Sequence, residues 1–350
     1  MDKNGAGAYI FAKASGILGR SFVGERTKIL FEQKNLQDLW SLLFRTHPPM
    51  IPETLLAKQI EVEALNRFIK QYTLFIDAYD KPDPILIDQL YIYETENLKE
   101  IGAALCNGEK ELPAVVDLGK FAQINYSAWP DIKAMTKGSI FSWYNHVPDI
   151  HDQQKMEFKV DMQVISHLWK SLENEKGEDY DALMKIYKHE YVVKNIIWAL
   201  RLRLFYDMPV EEIHENLISV SGKVSASDPL AGPALKVLDF PLDDYNVWAN
   251  WKYSNLVNPH VDGLVWKIDP TWMERRSRVE VDRLALNVFH QYPMSVCSLI
   301  AWYKIKHFEL NCIRTAVESL RLNIRSEEAM DAVGINNAGN FASAGGVNNG

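Results

Sequence analysis

From position 94 the chain reads Glu-Thr-Glu-Asn-Leu-Lys, and from position 309 it reads Glu-Leu-Asn-Cys-Ile-Arg. Both stretches contain Glu, two variable residues, Asn or Cys, an aliphatic residue and a basic residue. A looser copy lies between them, with two Ile residues after an Asn and Glu190 upstream. The anchor residues of the copies are Asn97, Asn195 and Cys312. A spacing of roughly a hundred residues indicates a structural unit used three times.

The segments that follow the anchors also recur. Pro209 and Ser326 lie at the same distance from their anchors and open acidic stretches, and Pro113 follows its anchor at a similar distance. Pro or Ser before acidic residues is a helix-start signal. Each copy is therefore predicted to be a long helix, a short turn and a second, shorter helix that begins near one of these residues.

Helical spacing of apolar residues dominates the remaining sequence. Residues 65–72 place apolar side chains at positions i, i+3, i+4 and i+7, as in an amphipathic helix. Strand-like alternation is scarce, and its best candidate, residues 264–268, is short. The predicted fold class is therefore all-α.

One segment resembles a membrane span. Residues 284–303 contain no Lys, Arg, Asp or Glu, but they contain several polar side chains, and Pro293 interrupts them. Two buried helices that meet at Pro293 are predicted instead. No secretory signal is predicted, because residues 1–15 lack a sustained apolar stretch. Residues 334–350, rich in Gly, Asn and Ala, cannot offset their ordering entropy and are predicted to be disordered.

Charge and cysteine content exclude several classes of protein. The formal net charge of −8 makes nucleic-acid binding a poor fit, because phosphate contacts need clustered Lys and Arg. It also disfavours a polybasic membrane anchor. Cys106, Cys297 and Cys312 form no Cys-x-x-Cys pair, and their odd number argues against a disulfide framework. Reduced thiols of a cytoplasmic protein are predicted.

Catalytic motifs are missing from the sequence. The nearest approach to a phosphate-binding loop, at Gly222, lacks the first Gly and the hydroxyl residue. The His-Glu pairs at His189 and His214 lack the second His of a zinc protease. Four residues form the best metal-like cluster, which lies in a Pro-containing connection and is interpreted as a polar loop. They are His146, Asp149, His151 and Asp152.

A run of charged residues and a set of Trp residues each have a structural interpretation, with binding of a partner as the alternative. The mixed-charge residues 274–283 are interpreted as a solvated helix face, with a docking face as the alternative. The Trp residues between positions 248 and 272 are interpreted as core, with a partner-facing patch as the alternative. They are Trp248, Trp251, Trp266 and Trp272.

The third copy resembles a known family. Residues 303–314, with Tyr303, Lys306, Glu309, Ile313 and Arg314, are followed by Glu-Glu-Ala-Met from position 327. They are similar to the C-terminal signature of the C/d family of V-type (A/V-type) ATPase subunits, which has the letter C in prokaryotes and d in eukaryotes. That signature is a helix with Tyr and Lys-x-x-Glu-x-x-Asn-(Leu/Ile)-Arg, followed by a short acidic helix.

The beginning of the chain is similar to the opening helix of the same family, Tyr-x-x-Ala-Arg. The matching residues are Tyr9, Ala12, Lys13, Leu18 and Arg20, so the resemblance covers residues 9–333. The chain departs from the family pattern at three positions. Cys312 replaces an Asn, Ser15 replaces a basic residue, and Ile197 stands where Lys or Arg would fit.

The resemblance implies a funnel of three similar helical modules around a pseudo-threefold axis. One end would sit on the cytoplasmic face of the membrane rotor ring of proteolipid subunits, and the socket would receive the central stalk. The protein would be a non-catalytic coupling subunit without a cofactor or metal, peripheral to the membrane and attached only through the ring. Ion movement coupled to ATP would involve protons or sodium. The expected boundaries are residues 1–118, 119–220 and 221–333.

The resemblance also implies that the long repeat helices line the socket. The candidate stalk contacts are Glu94, Asn97, Lys99, Glu190, Lys194, Glu309 and Arg314. The alternative role for these residues is ordinary hydrogen bonding on helix surfaces and between modules. Two other functions remain open, a soluble helical enzyme with a metal or small-molecule site and a helical adaptor unrelated to ATPases.

Overall fold

The computed structural model describes residues 1–335. Within that range all regular structure is helical and no strand occurs, so the predicted all-α class is confirmed. Short 3₁₀ helices occupy Gly24–Thr27, Gly119–Phe121, Tyr126–Ala128 and Ser254–Leu256. The α-helices are α1 (Lys3–Leu18), α2 (Lys28–Phe31), α3 (Leu36–Phe44), α4 (Glu53–Ile76), α5 (Pro84–Asp88), α6 (Tyr91–Cys106), α7 (Ile132–Thr136), α8 (Gln153–Asn174), α9 (Gly177–Phe205), α10 (Val210–Glu215), α11 (Gly232–Val237), α12 (Tyr245–Ala249), α13 (Pro270–Gln291), α14 (Val296–Arg321) and α15 (Ser326–Ala332).

The chain divides into two compact units. One contains residues 1–3 and 73–239, and the other contains residues 4–72 and the chain from Phe240 onward. The three-module division with boundaries at 118 and 220 stays a prediction, as does the pseudo-threefold funnel.

In the unit formed by residues 4–72 and the chain from Phe240 onward, α13 and α14 pack along each other. Local sequence sets their ends. Asp269 caps α13 by accepting the N–H of Thr271, and Ser295 caps α14 by accepting the N–H of Cys297. The break between them lies at Gln291–Val296, which confirms the two helices predicted to meet at Pro293.

Helix α1 approaches the α13–α14 turn closely at Gly7. A Cβ atom at Gly7 would lie 2.1 Å from the carbonyl oxygen of Met294. Met294 itself has a left-handed backbone, with φ 65°. Gly7 therefore fits because it has no side chain, and the contact fixes how α1 lies on the turn.

The three anchors Asn97, Asn195 and Cys312 lie on α6, α9 and α14, which are the long repeat helices. Two apolar clusters form around α14 and α6. The first, in the unit that contains α14, joins residues of α2, α3 and α4 to Cys312, Ile313 and Val317. The second, in the other unit, joins Leu98 and Ile101 of α6 to residues of α7 and α8. In both clusters the buried side of a long repeat helix supplies the contact surface.

All three long repeat helices end in the same way. The second residue after the last helical position has a left-handed backbone in each case: Gly108 after α6 (φ 71°), Asp207 after α9 (φ 47°) and Asn323 after α14 (φ 53°). Gly, Asn and Asp are the residues that tolerate this conformation best. The repeat proposed from the sequence thus has a common helix end in the structure.

The helices after these ends agree with the prediction in two copies. Helix α10 follows Pro209, and α15 begins at Ser326. In the first copy the predicted helix at Pro113 is wrong, because residues 113–118 form no helix. The physical reason is that Val116 makes both of its backbone hydrogen bonds to the side chain of Asn97, which leaves none for a helix.

Two smaller expectations have different outcomes. Residues 264–268 form no strand and run as an irregular segment, in which the N–H of Ile268 donates to the carbonyl of Leu242. The tail predicted to be disordered begins at Gly334. Residues 336–350 lie outside the described part of the chain.

Candidate functional site

The anchor residues Asn97 and Asn195 bind backbone in the same way. The Asn97 amide nitrogen donates to the carbonyl of Val116 (2.9 Å), and its oxygen accepts from the N–H of Val116 (2.8 Å). Asn195 makes the equivalent pair with Ile218, at 2.7 and 2.8 Å. Both side chains are almost fully buried. Each anchor therefore ties the segment after a long helix back onto that helix.

The third anchor position lacks this pair of hydrogen bonds. Cys312 cannot provide an amide, and it packs in the apolar cluster with Leu30 and Phe31. Burial raises the pKa of the Cys312 thiol well above its usual value, and the nearby carboxylates of Asp282 and Glu309 add to the effect. Where the family pattern has Asn, this chain therefore has a Cys whose side chain is surrounded by apolar residues.

Glu94, one turn before Asn97, also points into its own unit. One carboxylate oxygen accepts from the N–H of Gln123 (2.6 Å), and the other accepts from the hydroxyl of Tyr126 (2.7 Å). The Asn97 amide donates to that same hydroxyl oxygen (2.7 Å). Burial raises the pKa of Glu94, although these hydrogen bonds oppose the shift. Burial and the Glu94 carboxylate together raise the pKa of Tyr126 well above its usual range.

Glu309 repeats the relationship in the third copy. One carboxylate oxygen accepts from the N–H of Phe22 at 2.6 Å, and the other accepts from the ammonium group of Lys306. Lys306 donates in turn to the hydroxyl of Ser21 (2.9 Å). The Glu at this repeat position, Glu94 in the first copy and Glu309 in the third, therefore accepts a hydrogen bond from a distant backbone N–H in both copies.

The basic residues of the repeat form ion pairs closer to the surface. The Lys99 ammonium lies 2.8 Å from an oxygen of Asp161 on α8, and 3.2 Å from an oxygen of Glu96. Burial lowers the pKa of Lys99, but these two carboxylates outweigh it, so the pKa is raised overall. Arg314 is exposed, and its Nε lies 3.4 Å from a carboxylate oxygen of Glu61 on α4.

The candidates on α9 differ in exposure. Lys194 is exposed, Glu190 is half-buried, and Ile197, at the position where a basic residue would fit, is buried. Three of the seven candidate stalk contacts, Glu94, Asn97 and Glu309, are buried and form hydrogen bonds within their own chain. This agrees with the alternative given for them, ordinary hydrogen bonding rather than contact with the stalk. Contact of any of the seven with another subunit stays a proposal.

Sequence reasoning missed the partners of these anchors. Tyr126 and Phe22 lie far from the residues that bind them, and neither stands in a motif that signals the contact. The pairing of Val116 with Asn97 had one signal, the β-branched Val-Val pair after Pro113, which favours extended backbone over helix.

The mixed-charge run on α13 contains one buried acid. Arg278 pairs with Glu274 at 2.7 Å, as expected for a solvated face. Asp282 is instead buried, and one of its carboxylate oxygens has no hydrogen-bond partner among the described residues. Burial raises the pKa of Asp282 to about 7. The interpretation of residues 274–283 as a solvated face is therefore wrong at Asp282.

Two of the four Trp residues lie in the core. Trp248 and Trp266 are buried, and their indole N–H groups donate to the carbonyls of Pro241 (2.7 Å) and Asn258 (3.1 Å). Trp251 and Trp272 are partly exposed. Core packing is thus the role of Trp248 and Trp266.

The metal-like residues form part of a loop. The N–H of His151 donates to the carboxylate of Asp149, and His146 contacts Asn145. Across residues 1–335, no group of three or more His, Cys, Asp or Glu side chains is arranged to hold a metal ion. The same loop borders an open cleft of about 530 Å³, in which Asp149 is the single charged lining residue.

Comparison with known proteins identifies the family. The ATP synthase (C/AC39) subunit family matches residues 12–332, which is most of the chain. The chain belongs to the ATP synthase (C/AC39) subunit family. Members of this family are non-catalytic subunits of V/A-type ATPase complexes, so the family predicted from residues 303–314 is confirmed.

An uncharacterized relative extends the comparison. A protein of Treponema pallidum (strain Nichols), described as uncharacterized, is 26% identical over 320 residues. The match covers 91% of this C/AC39 chain and 94% of the relative. Within residues 1–335, none of the helices combines the length and apolar character needed to cross a membrane.

Proposed function

We propose that this chain joins the central stalk of a V/A-type ATPase to the membrane rotor ring and passes torque between them. The observation that carries the proposal is the C/AC39 family match over residues 12–332. It is supported by a repeat whose three long helices end alike and in which two copies, at Asn97 and Asn195, share the same anchor contacts. Three related modules around one axis would suit a part that grips a rotating shaft.

The internal contacts of the repeat suit a coupler of this kind. A part that passes torque must be stiff, and close-packed helices transmit strain because their interiors are dense. Asn97 and Asn195 each fix the segment after a long helix by two hydrogen bonds. Glu94 and Glu309 fix two further backbone groups. These contacts limit the freedom of the loops between helices.

The proposed contacts with the stalk lie on the long repeat helices. Lys194 and Arg314 are the exposed members of the candidate set, so they would meet the stalk directly. Lys99 and Glu190 are half-exposed and would lie at the edge of the contact. The buried candidates, Glu94, Asn97 and Glu309, would hold these helices in place.

Location follows from the same proposal. The chain would be peripheral, on the cytoplasmic face of the membrane, and held there by the proteolipid ring. Its contacts with stalk and ring would depend on complementary charge and fit rather than on a pocket.

A binding experiment tests the proposal. The membrane ring, the central-stalk subunits and this chain would be purified separately, and the ring would be immobilised in detergent. The stalk subunits should be retained on the ring only when this chain is present. A chain with a scrambled order of the same helices would be a poor control because it would not fold, so an unrelated helical protein of similar charge is preferable. Equal retention of the stalk with and without this chain would contradict the proposal.

A further inference from the structure

One face of α9 exposes basic and aromatic side chains together. Lys194, Trp198, Arg201 and Phe205 follow one another at intervals of three or four residues, so they lie along a single helical face. Lys194 is exposed, and Trp198 and Phe205 are 37% and 65% exposed. Arg201 is half-exposed. We refer to these four residues as the α9 stripe.

The same positions are accessible in the other long repeat helices. Measured from the anchors, the equivalents on α6 and α14 are exposed or half-exposed. At 100° per residue these positions lie about a quarter turn around each helix from the buried anchor, on a side that is accessible in every copy. The equivalents are Glu96, Glu100 and Ala103 on α6 with Asn107 directly after it, and Asn311, Thr315 and Glu318 on α14 with Leu322 directly after it.

The chemistry of the three equivalent faces differs. On α6 the charged residues are Glu96 and Glu100, and on α14 the charged residue is Glu318. The α9 stripe alone combines positive charge with two large aromatic rings. Repeat geometry makes these positions accessible, but it does not require basic or aromatic residues there, so their presence on α9 needs another cause.

Binding to a partner would explain why basic and aromatic side chains are exposed together on α9. Trp and Arg are the residues most enriched where binding energy is concentrated in protein interfaces. The positive charges of the α9 stripe complement an acidic surface, and its rings complement apolar side chains within that surface. The carboxylates of Glu96 and Glu100 would repel the same surface, so the equivalent faces on α6 and α9 are not interchangeable.

We propose that the α9 stripe binds an acidic segment of the central stalk that also carries apolar side chains. This inference rests on the proposed function, because it takes the central stalk as the partner of α9. It adds to that function the chemistry of the partner and three contact residues, Trp198, Arg201 and Phe205, in addition to Lys194.

Variants of the full chain test the inference. Binding of the purified central-stalk subunits to the wild type would be measured first, by calorimetry at low and high salt. Lys194→Glu and Trp198→Ala would then be compared with the wild type. The matched control is Lys185→Glu, which makes the same charge change nine residues earlier, on the opposite side of α9, where Lys185 is exposed. Thermal melting would establish that each variant is folded.

The expected result is that Lys194→Glu and Trp198→Ala each weaken stalk binding by about tenfold or more. Lys185→Glu should bind like the wild type. Binding by the wild type should also weaken as salt is raised, and Lys194→Glu should show a smaller dependence on salt.

Three outcomes would overturn the inference. If the wild type binds the stalk and both stripe variants bind equally well, the proposed function stands and the α9 stripe is not the contact. If the wild type fails to bind the stalk, both proposals fall. If sedimentation shows that the chain self-associates and Trp198→Ala abolishes this, a second copy is the occupant instead of the stalk.

Discussion

The side-chain amide of Asn195 holds the backbone of Ile218 through two hydrogen bonds, 2.7 and 2.8 Å long, within the interior of its unit. Asn97 holds Val116 in the same way in the preceding copy of the repeat. An amide is well suited to this task because it presents one donor and one acceptor side by side, as a neighbouring strand would.

Replacement of Asn195 by Asp tests this contact with almost no change in shape. The carboxylate cannot donate to the carbonyl of Ile218 and would introduce a buried charge. We expect the free energy of unfolding to fall by about 2–3 kcal/mol, as measured by urea denaturation. Asn145→Asp, at an exposed position of the same unit, should change it by no more than about 0.5 kcal/mol. Equal effects of the two substitutions would contradict the role given to Asn195.

Two glycines of α1 form a matched pair for the packing of that helix. A Cβ atom at Gly7 would collide with the carbonyl oxygen of Met294, whereas a Cβ atom at Gly16 would meet nothing within 4 Å. Gly7→Ala should therefore destabilise the protein by about 2 kcal/mol through overpacking. Gly16→Ala should stabilise it by up to about 1 kcal/mol, because Ala favours helix. Thermal unfolding of both variants checks this, and a stabilising Gly7→Ala would be inconsistent with the packing described.

Asp282 should make stability depend on pH. Its pKa is raised by burial to about 7, whereas the ordinary value is 3.8. The folded chain therefore keeps a proton that the unfolded chain loses, so the contribution of Asp282 to the free energy of unfolding is greatest below about pH 4 and decreases as pH rises toward 7. Relative to Asp282→Asn, the wild type should lose up to about 4 kcal/mol across this range.

Urea unfolding at a series of pH values between 4 and 8 measures this difference. Asp262 offers the control, because its side chain is fully exposed, and Asp262→Asn should run parallel to the wild type. A constant difference between the wild type and Asp282→Asn over the whole range would show that Asp282 has an ordinary pKa.

The three thiols should differ in reactivity. Cys106 is partly exposed, whereas Cys297 and Cys312 are buried, and burial raises the pKa of Cys312 far above its usual value. Because the thiolate is the reactive form, we expect Cys106 to react with a disulfide reagent in the native protein, and the other two only after unfolding. The number of protein thiols that react with Ellman's reagent would be counted in native and in denatured protein. The Cys106→Ala variant is the control. Rapid native reaction of the Cys106→Ala variant would contradict the burial of the other two.

The sequence predicted the elements whose signals are local. Helical spacing identified the all-α class, Pro293 marked the break between α13 and α14, and Pro209 and Ser326 marked the start of α10 and α15. The same signal failed at Pro113, where Val116 bonds to a side chain instead of continuing a helix. A start signal predicts a helix only if the backbone groups that follow it are free to form one.

The contacts of the anchor residues could not be predicted in this way. The repeat directed attention to Glu94 and Asn97, but their hydrogen bonds reach Tyr126 and Gln123, whose positions depend on the path of the intervening chain. Helical periodicity describes the two sides of one helix, and it carries no information about which distant segment packs there. The inward orientation of these residues therefore required the three-dimensional structure.

The most direct test of the coupling function is ion transport by the assembled complex. A V/A-type ATPase would be reconstituted into vesicles with and without this chain, and ATP hydrolysis and the ion gradient would be followed in the same sample. With the chain present, hydrolysis should drive an ion gradient, whereas without it hydrolysis should continue and no gradient should form. A gradient of equal size in vesicles that lack the chain would contradict the account.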